Sequence, residues 1–149
     1  MTNEQRGQVV AIAKTWIGTR YRGWSHVKGP KGGVDCGMLL KAVYQEAGLI
    51  PAGDLGINMS YSLQVAQHLD DTSYIDKILE FFHEIPQSEA KAGDLVVYKL
   101  GLAFAHGGII VSWPRLIHAI AHGGVRATSG YTHPKLAGHV KKFYTLGVL

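Results

Sequence analysis

The apolar residues of this chain recur at one period before Pro86 and at another after it. That single change constrains the fold more than any other feature. Before Pro86 the spacing is helical. Val9, Ile12, Ala13, Trp16 and Ile17 follow the i, i+3, i+4, i+7, i+8 stripe of an amphipathic helix, which predicts a helix over residues 4–18 with Gly18 as its stop. Leu39, Leu40, Val43, Tyr44 and Ala47 form a second stripe and predict a helix over 36–47. Asp35 stands where an N-cap belongs and Gly48 where a C′ glycine belongs. Two shorter helices are expected over 62–69 and 73–83. After Pro86 the period falls to two. Strands are expected over 94–100, 106–112, 115–120, 125–128 and 140–146, with Val96, Tyr98 and Leu100 on one side of the first. Gly101, Trp113-Pro114 and Gly123-Gly124 mark turns. Helices come first, strands second, and βαβ alternation is absent. The fold class is therefore α+β: N-terminal helices packed on a C-terminal antiparallel five-stranded sheet. A length of 149 residues supports one domain, residues 1–149.

Composition narrows the possibilities further. A single cysteine cannot form an internal disulfide or supply a zinc site that needs two thiolates. No apolar run reaches about 18 residues, so no membrane-spanning helix is expected. The first six residues lack the basic-then-apolar layout of a secretory signal, so the expectation is a chain made in the cytoplasm. Fifteen Lys and Arg against eleven Asp and Glu leave a net charge of +4. No acidic residue follows Asp94, whereas Lys99, Arg115, Arg126, Lys135, Lys141 and Lys142 do. A basic face can attract a polyanion, but these charges are scattered singly and form no nucleic-acid-binding motif.

Cys36 is the first residue that could carry chemistry. A lone buried cysteine is commonly inert packing. This one sits at a predicted helix start, behind the glycine-rich stretch 29–33 and beside Gly37. The positive end of a helix favours a thiolate, and its N–H groups can hold an oxyanion. A nucleophilic cysteine needs a base, usually histidine, and often a third group to orient that base. His106 opens a predicted strand ahead of Gly107 and Gly108, and His118 interrupts the apolar run 116–120. A lone histidine in such a strand is usually a core residue satisfied by a carbonyl. Antiparallel pairing through the Trp113-Pro114 turn would nevertheless bring His118 near His106, one as base and the other as its orienter. Tyr21, between the first helix and the cysteine loop, is either an aromatic lid or a donor to a substrate oxygen. His26 could line a groove. His68 and His83 read as surface residues, and His122, His133 and His139 fall in turns. His118 and His122 share the H-x3-H spacing of some zinc sites. That spacing informs chiefly on a helix, and this segment reads as strand and turn.

In their order, these residues resemble the NlpC/P60 family of cell-wall cysteine peptidases. The pieces that carry the resemblance are Trp16-Ile17-Gly18-Thr19-Arg20-Tyr21, Gly33-Val34-Asp35-Cys36-Gly37, Ala92-Gly93-Asp94-Leu95-Val96-Val97-Tyr98, His106-Gly107-Gly108-Ile109-Ile110-Val111 and Ile117-His118-Ala119. The resemblance implies a papain-like core with a barrel-like sheet. It implies Cys36 as nucleophile, His106 as base and His118 as third polar residue. Tyr21, Trp24, His26, Asp35 and Gly37 are the expected oxyanion and substrate-binding residues. The implied substrate is the stem peptide of peptidoglycan, often cut between D-glutamate and a diamino acid or lysine, with no cofactor and no metal. Where the family usually has Asp-Cys-Ser-Gly-Leu, this chain has Asp35-Cys36-Gly37-Met38-Leu39, and the tyrosine-x-tryptophan-glycine-glycine run becomes Tyr21-Arg22-Gly23-Trp24. The compact, unsignalled layout looks like members encoded by bacteriophages, which implies tail proteins as partners and a location on the virion or at the wall. A related amidase or acyltransferase, or a non-catalytic tail or wall-binding protein, are the alternatives.

Overall fold

A computed structural model describes residues 1–55 and 73–148, with side chains from 75 onward in the second stretch. Helix α1 spans Asn3–Thr15. Thr2 and Gln5 close its start reciprocally: the Thr2 hydroxyl accepts the Gln5 N–H, and the Gln5 side chain accepts the Thr2 N–H. Trp16 is the C-cap, so the helix ends three residues before the predicted stop at Gly18. Val9, Ala13 and Trp16 are buried as expected, but Ile17 lies past the helix end and is 47% exposed. Two short strands follow, β1 (His26–Val27) and β2 (Gly33–Val34), which pair antiparallel inside the stretch that lacked any periodicity.

Helix α2 spans Cys36–Glu46 and matches its prediction closely. Asp35 is the N-cap, Ala47 the C-cap, and Gly48 takes a left-handed φ of 71°. Leu39, Leu40, Val43 and Tyr44 are fully buried. Each such side chain stabilises the fold by about 1.5–3 kcal/mol. The helix predicted over 62–69, with His68, lies outside the described residues. Helix α3 spans Ser73–Leu79, shorter than its prediction, because Phe82 and His83 belong to a strand.

That strand, β3 (Phe82–Ile85), corrects the expected strand count. With β4 (Leu95–Leu100), β5 (Ala103–Ser112), β6 (Arg115–Ile120), β7 (Gly124–Ser129) and β8 (Lys141–Leu146) it forms a six-stranded antiparallel sheet. The order is β3-β8-β4-β5-β6-β7, and the sheet is open rather than closed into a barrel. A one-turn 3₁₀ helix, Gln87–Glu89, joins β3 to β4. Val96, Tyr98 and Leu100 share one side of β4, as expected, but Leu95 and Val97 are buried as well. Both faces of the sheet are covered. The helices and Leu95, Ile109, Ile117, Ala119 and Val125 make the larger core. Val96, Tyr98, Ile110, Leu116 and Phe143 make a second core that Leu136 closes, from the segment between β7 and β8.

Candidate active site

The site grows from the junction between the 19–34 loop and α2. Asp35 uses both carboxylate oxygens there. Oδ1 accepts the Met38 N–H at 2.8 Å and caps the helix; Oδ2 accepts the Trp24 N–H at 2.8 Å and ties the loop to the helix start. Trp24 needs that tie, because it holds a left-handed φ of 64°. Cys36 then begins α2 with its sulfur against β5, where the thiol donates to the Ala105 carbonyl at 3.6 Å.

The N–H groups of Cys36, Gly37 and Gly107 hydrogen-bond toward this sulfur. They favour the thiolate, as a helix start should. Burial, and then the Asp35 carboxylate, outweigh them and push the thiol up to about 12. At this sulfur, burial therefore works against the thiolate that the helix start favours. Asp35 is itself raised by burial, against the N–H bonds from Met38, Trp24 and Gly37 and the nearby charge of His26. Tyr21 sits on a parallel bridge to Val34. Burial first, then Cys36 and Asp35, push its phenol above its ordinary range. It keeps its proton and stands as a neutral donor.

His106 and His118 meet through strand register. In the β5–β6 hairpin Ile109 faces Ile117 and Ile110 faces Leu116. Continued by one pair, this register sets His118 across from Gly108, with His106 on the diagonal of the same face. The two rings meet edge to face, with His106 Nε2 and His118 Nδ1 2.8 Å apart. Gly108 makes room: a Cβ there would lie 2.6 Å from Leu116 Cδ1 and 3.4 Å from the His118 Cβ. Burial first, with neighbouring His133 and Lys135 adding to it, lowers His106 to about 4. His118, fully buried, falls to about 3, chiefly by burial and then through His106, His133, Arg126 and Lys135. Both rings are therefore neutral. With Nε2 engaged by His118, Nδ1 is the second ring nitrogen of His106, and the thiol lies against the backbone of the preceding residue, Ala105.

The structure thus gathers Tyr21, Trp24, His26, Asp35, Cys36 and Gly37 at the start of α2, and His106 with His118 on the adjoining strands. Sequence reasoning left His133 in a turn, whereas its ring packs on His118 at 5.3 Å between centroids. Only the tertiary path of the segment between β7 and β8 reveals this contact. The zinc alternative does not assemble. His118 Nδ1 is taken by His106, His122 sits in a turn with φ 65°, and no three His, Cys, Asp or Glu side chains converge on a metal-sized point among the described residues. Among the same residues, no helix is long and apolar enough to cross a membrane.

The sequence model of the NlpC/P60 family matches residues 15–143. Among solved structures, the chain is similar to the NlpC/p60 domain of the peptidoglycan hydrolase SagA, at 22% identity and a TM-score of 0.61, covering 92% of this chain and 96% of that one. It is similar to an NLP/P60 family protein of Staphylococcus aureus, at 18% identity and a TM-score of 0.65, covering all of this chain and 43% of that one. It is also similar to RipD of Mycobacterium tuberculosis, described as a non-catalytic NlpC/p60 domain protein adapted to peptidoglycan binding, at 14% identity and a TM-score of 0.60, covering 99% and 100%. A comparison with curated protein sequences gives no match. The family match spans nearly the whole described sheet and the segment that carries Cys36, His106 and His118, and on that ground the chain belongs to the NlpC/P60 family.

Proposed function

We propose that this protein is a cysteine endopeptidase acting on peptide bonds in peptidoglycan stem peptides. The observation that carries the reading is the Nε2–Nδ1 bond of 2.8 Å between His106 and His118, beside a thiol that touches the residue preceding His106.

Because the thiol and both imidazoles rest neutral, attack and proton transfer go together. As Cys36 Sγ bonds to the scissile carbonyl carbon, its proton passes to His106 Nδ1. The imidazolium so formed donates through Nε2 to His118 Nδ1, which accepts the same hydrogen bond before and after the transfer. The N–H of Cys36 and the Tyr21 hydroxyl stabilise the oxyanion. His106 then returns the proton to the leaving amine, and the C–N bond breaks to leave an acyl-Cys36. Water gives a proton to His106, attacks the thioester and releases the carboxylate product, and the thiol regains its proton.

Digestion of purified peptidoglycan, with products read by mass spectrometry, tests both the activity and the bond cut. Wild type should release cleaved stem peptides. Cys36→Ala should release none while keeping the wild-type circular dichroism spectrum. Full cleavage by Cys36→Ala would sink the mechanism. Binding without cleavage by wild type would favour the wall-binding role described for RipD, and acyl-Cys36 carrying lipid would favour an acyltransferase. A phage-tail setting is proposed alongside this activity, and mass spectrometry of purified phage particles tests it by presence or absence of the chain.

A further inference from the structure

The His106–His118 pair leaves one atom unexplained. His118 Nε2 is buried and has no hydrogen-bond partner. For His106 to accept the thiol proton at Nδ1, its own proton must sit on Nε2 and be donated to His118 Nδ1. His118 must then carry its proton on the orphaned Nε2. The opposite tautomer would place the His118 proton on Nδ1, reverse the shared hydrogen bond and force the His106 proton onto Nδ1, where it blocks the base. Productive chemistry therefore requires a buried N–H that meets no oxygen.

His133 packs against that ring, with centroids 5.3 Å apart and planes at 89°. Its own placement is fixed by the backbone. His133 N–H donates to Ser129 O at 3.1 Å, and its carbonyl accepts from Leu136 at 2.9 Å and Ala137 at 2.8 Å. The Lys135 N–H donates to His133 Nδ1 at 3.2 Å. That bond needs an unprotonated Nδ1, so the ring is neutral and offers an electron-rich face. An edge-to-face contact at this separation suits an N–H directed at an aromatic face.

We propose that His133 is a positioning residue: its ring face receives the His118 Nε2–H, holds His118 in that tautomer, and so keeps His106 free to take the Cys36 proton. The proposal rests on the nucleophile and base assigned above. The charged and titratable groups facing the pair are His106 on β5, Arg126 on β7 and Lys135 beside His133. Burial, then Arg126 and Lys135, lower His133 below its ordinary value. It therefore stays neutral at pH values where a free histidine would charge and turn its face against the N–H.

The test compares wild type, His133→Ala, His133→Phe and Cys36→Ala as full chains. Muropeptide hydrolysis gives kcat and KM, and long-range ¹H–¹⁵N correlation spectra give the His118 tautomer. His133→Ala should lower kcat about tenfold with KM within about twofold, and should mix the two His118 tautomers. His133→Phe, which keeps a ring face, should restore kcat to within about twofold and the single Nε2–H tautomer. Wild-type kcat with an unmixed tautomer in His133→Ala would overturn the proposal, and so would a His133→Phe protein as impaired as His133→Ala. If His133→Ala fails to fold, His133→Phe against wild type decides. If wild type cleaves nothing, or Cys36→Ala still cleaves, the hydrolase reading fails, and the His118 spectra still decide the role of His133.

Discussion

At the residue scale, burial sets the chemistry of Cys36 and His106 more strongly than their polar neighbours do. The proposed base, His106, must be unprotonated to act, and burial lowers it to about 4. The acid limb of kcat/KM should therefore have its midpoint well below the ordinary histidine value of 6.5, and a pH–rate profile reading 6.5 or higher would contradict the site as described. The same shift couples folding to pH. The folded ring stays neutral, while the unfolded chain takes up a proton below about 6.5. The stabilisation is full above that value and is lost as pH falls toward about 4. The loss amounts to something on the order of 3 kcal/mol. Urea unfolding at pH 7 and pH 4.5 should show it, and His106→Gln should shrink the difference.

At the element scale, the β5–β6 hairpin is the device that makes a pair out of two histidines twelve residues apart. Gly108→Ala should press its methyl on Leu116 and on the Ile117 carbonyl beside His118, cost about 1–3 kcal/mol of stability, and lower kcat more than it raises KM. Thermal melts and steady-state kinetics check both arms. Much at this scale was legible in the sequence. Asp35 and Gly48 delimited α2 because caps are local chemistry, and the Trp113-Pro114 turn marked the hairpin; the β-bulge between Ile110 and Ser112, which shifts the register by one residue and so puts His118 on the same face as His106, left no mark in the sequence. Strand β3 was not legible, since Phe81, Phe82 and Ile85 continue the apolar density of the preceding helix and only pairing with β8 makes them a strand. The raised thiol of Cys36 and the place of His133 were hidden for one reason: both depend on what packs around them from distant parts of the chain.

At the scale of the whole molecule, the fold is tied together at Asp94, which is fully buried. Its Oδ1 accepts from Arg6 of α1 at 2.8 Å and from the Thr145 hydroxyl of β8 at 2.6 Å, and its Oδ2 accepts the Lys91 N–H at 2.8 Å. Asp94→Ala would strand the Arg6 charge and should destabilise the protein by about 3–5 kcal/mol, with cleavage by the folded fraction little changed. Denaturant titration and activity per folded molecule separate the two effects. The strand order carries a further consequence for how the molecule comes into being. β8, the last of the described strands, lies between β3 and β4, so the sheet has a gap until residues 141–146 arrive. During synthesis on a ribosome, β3 and the rest of the sheet must wait apart, and the Arg6–Asp94 tie lacks its Thr145 member. The nascent chain therefore stays without its complete sheet until residues 141–146 have left the exit tunnel.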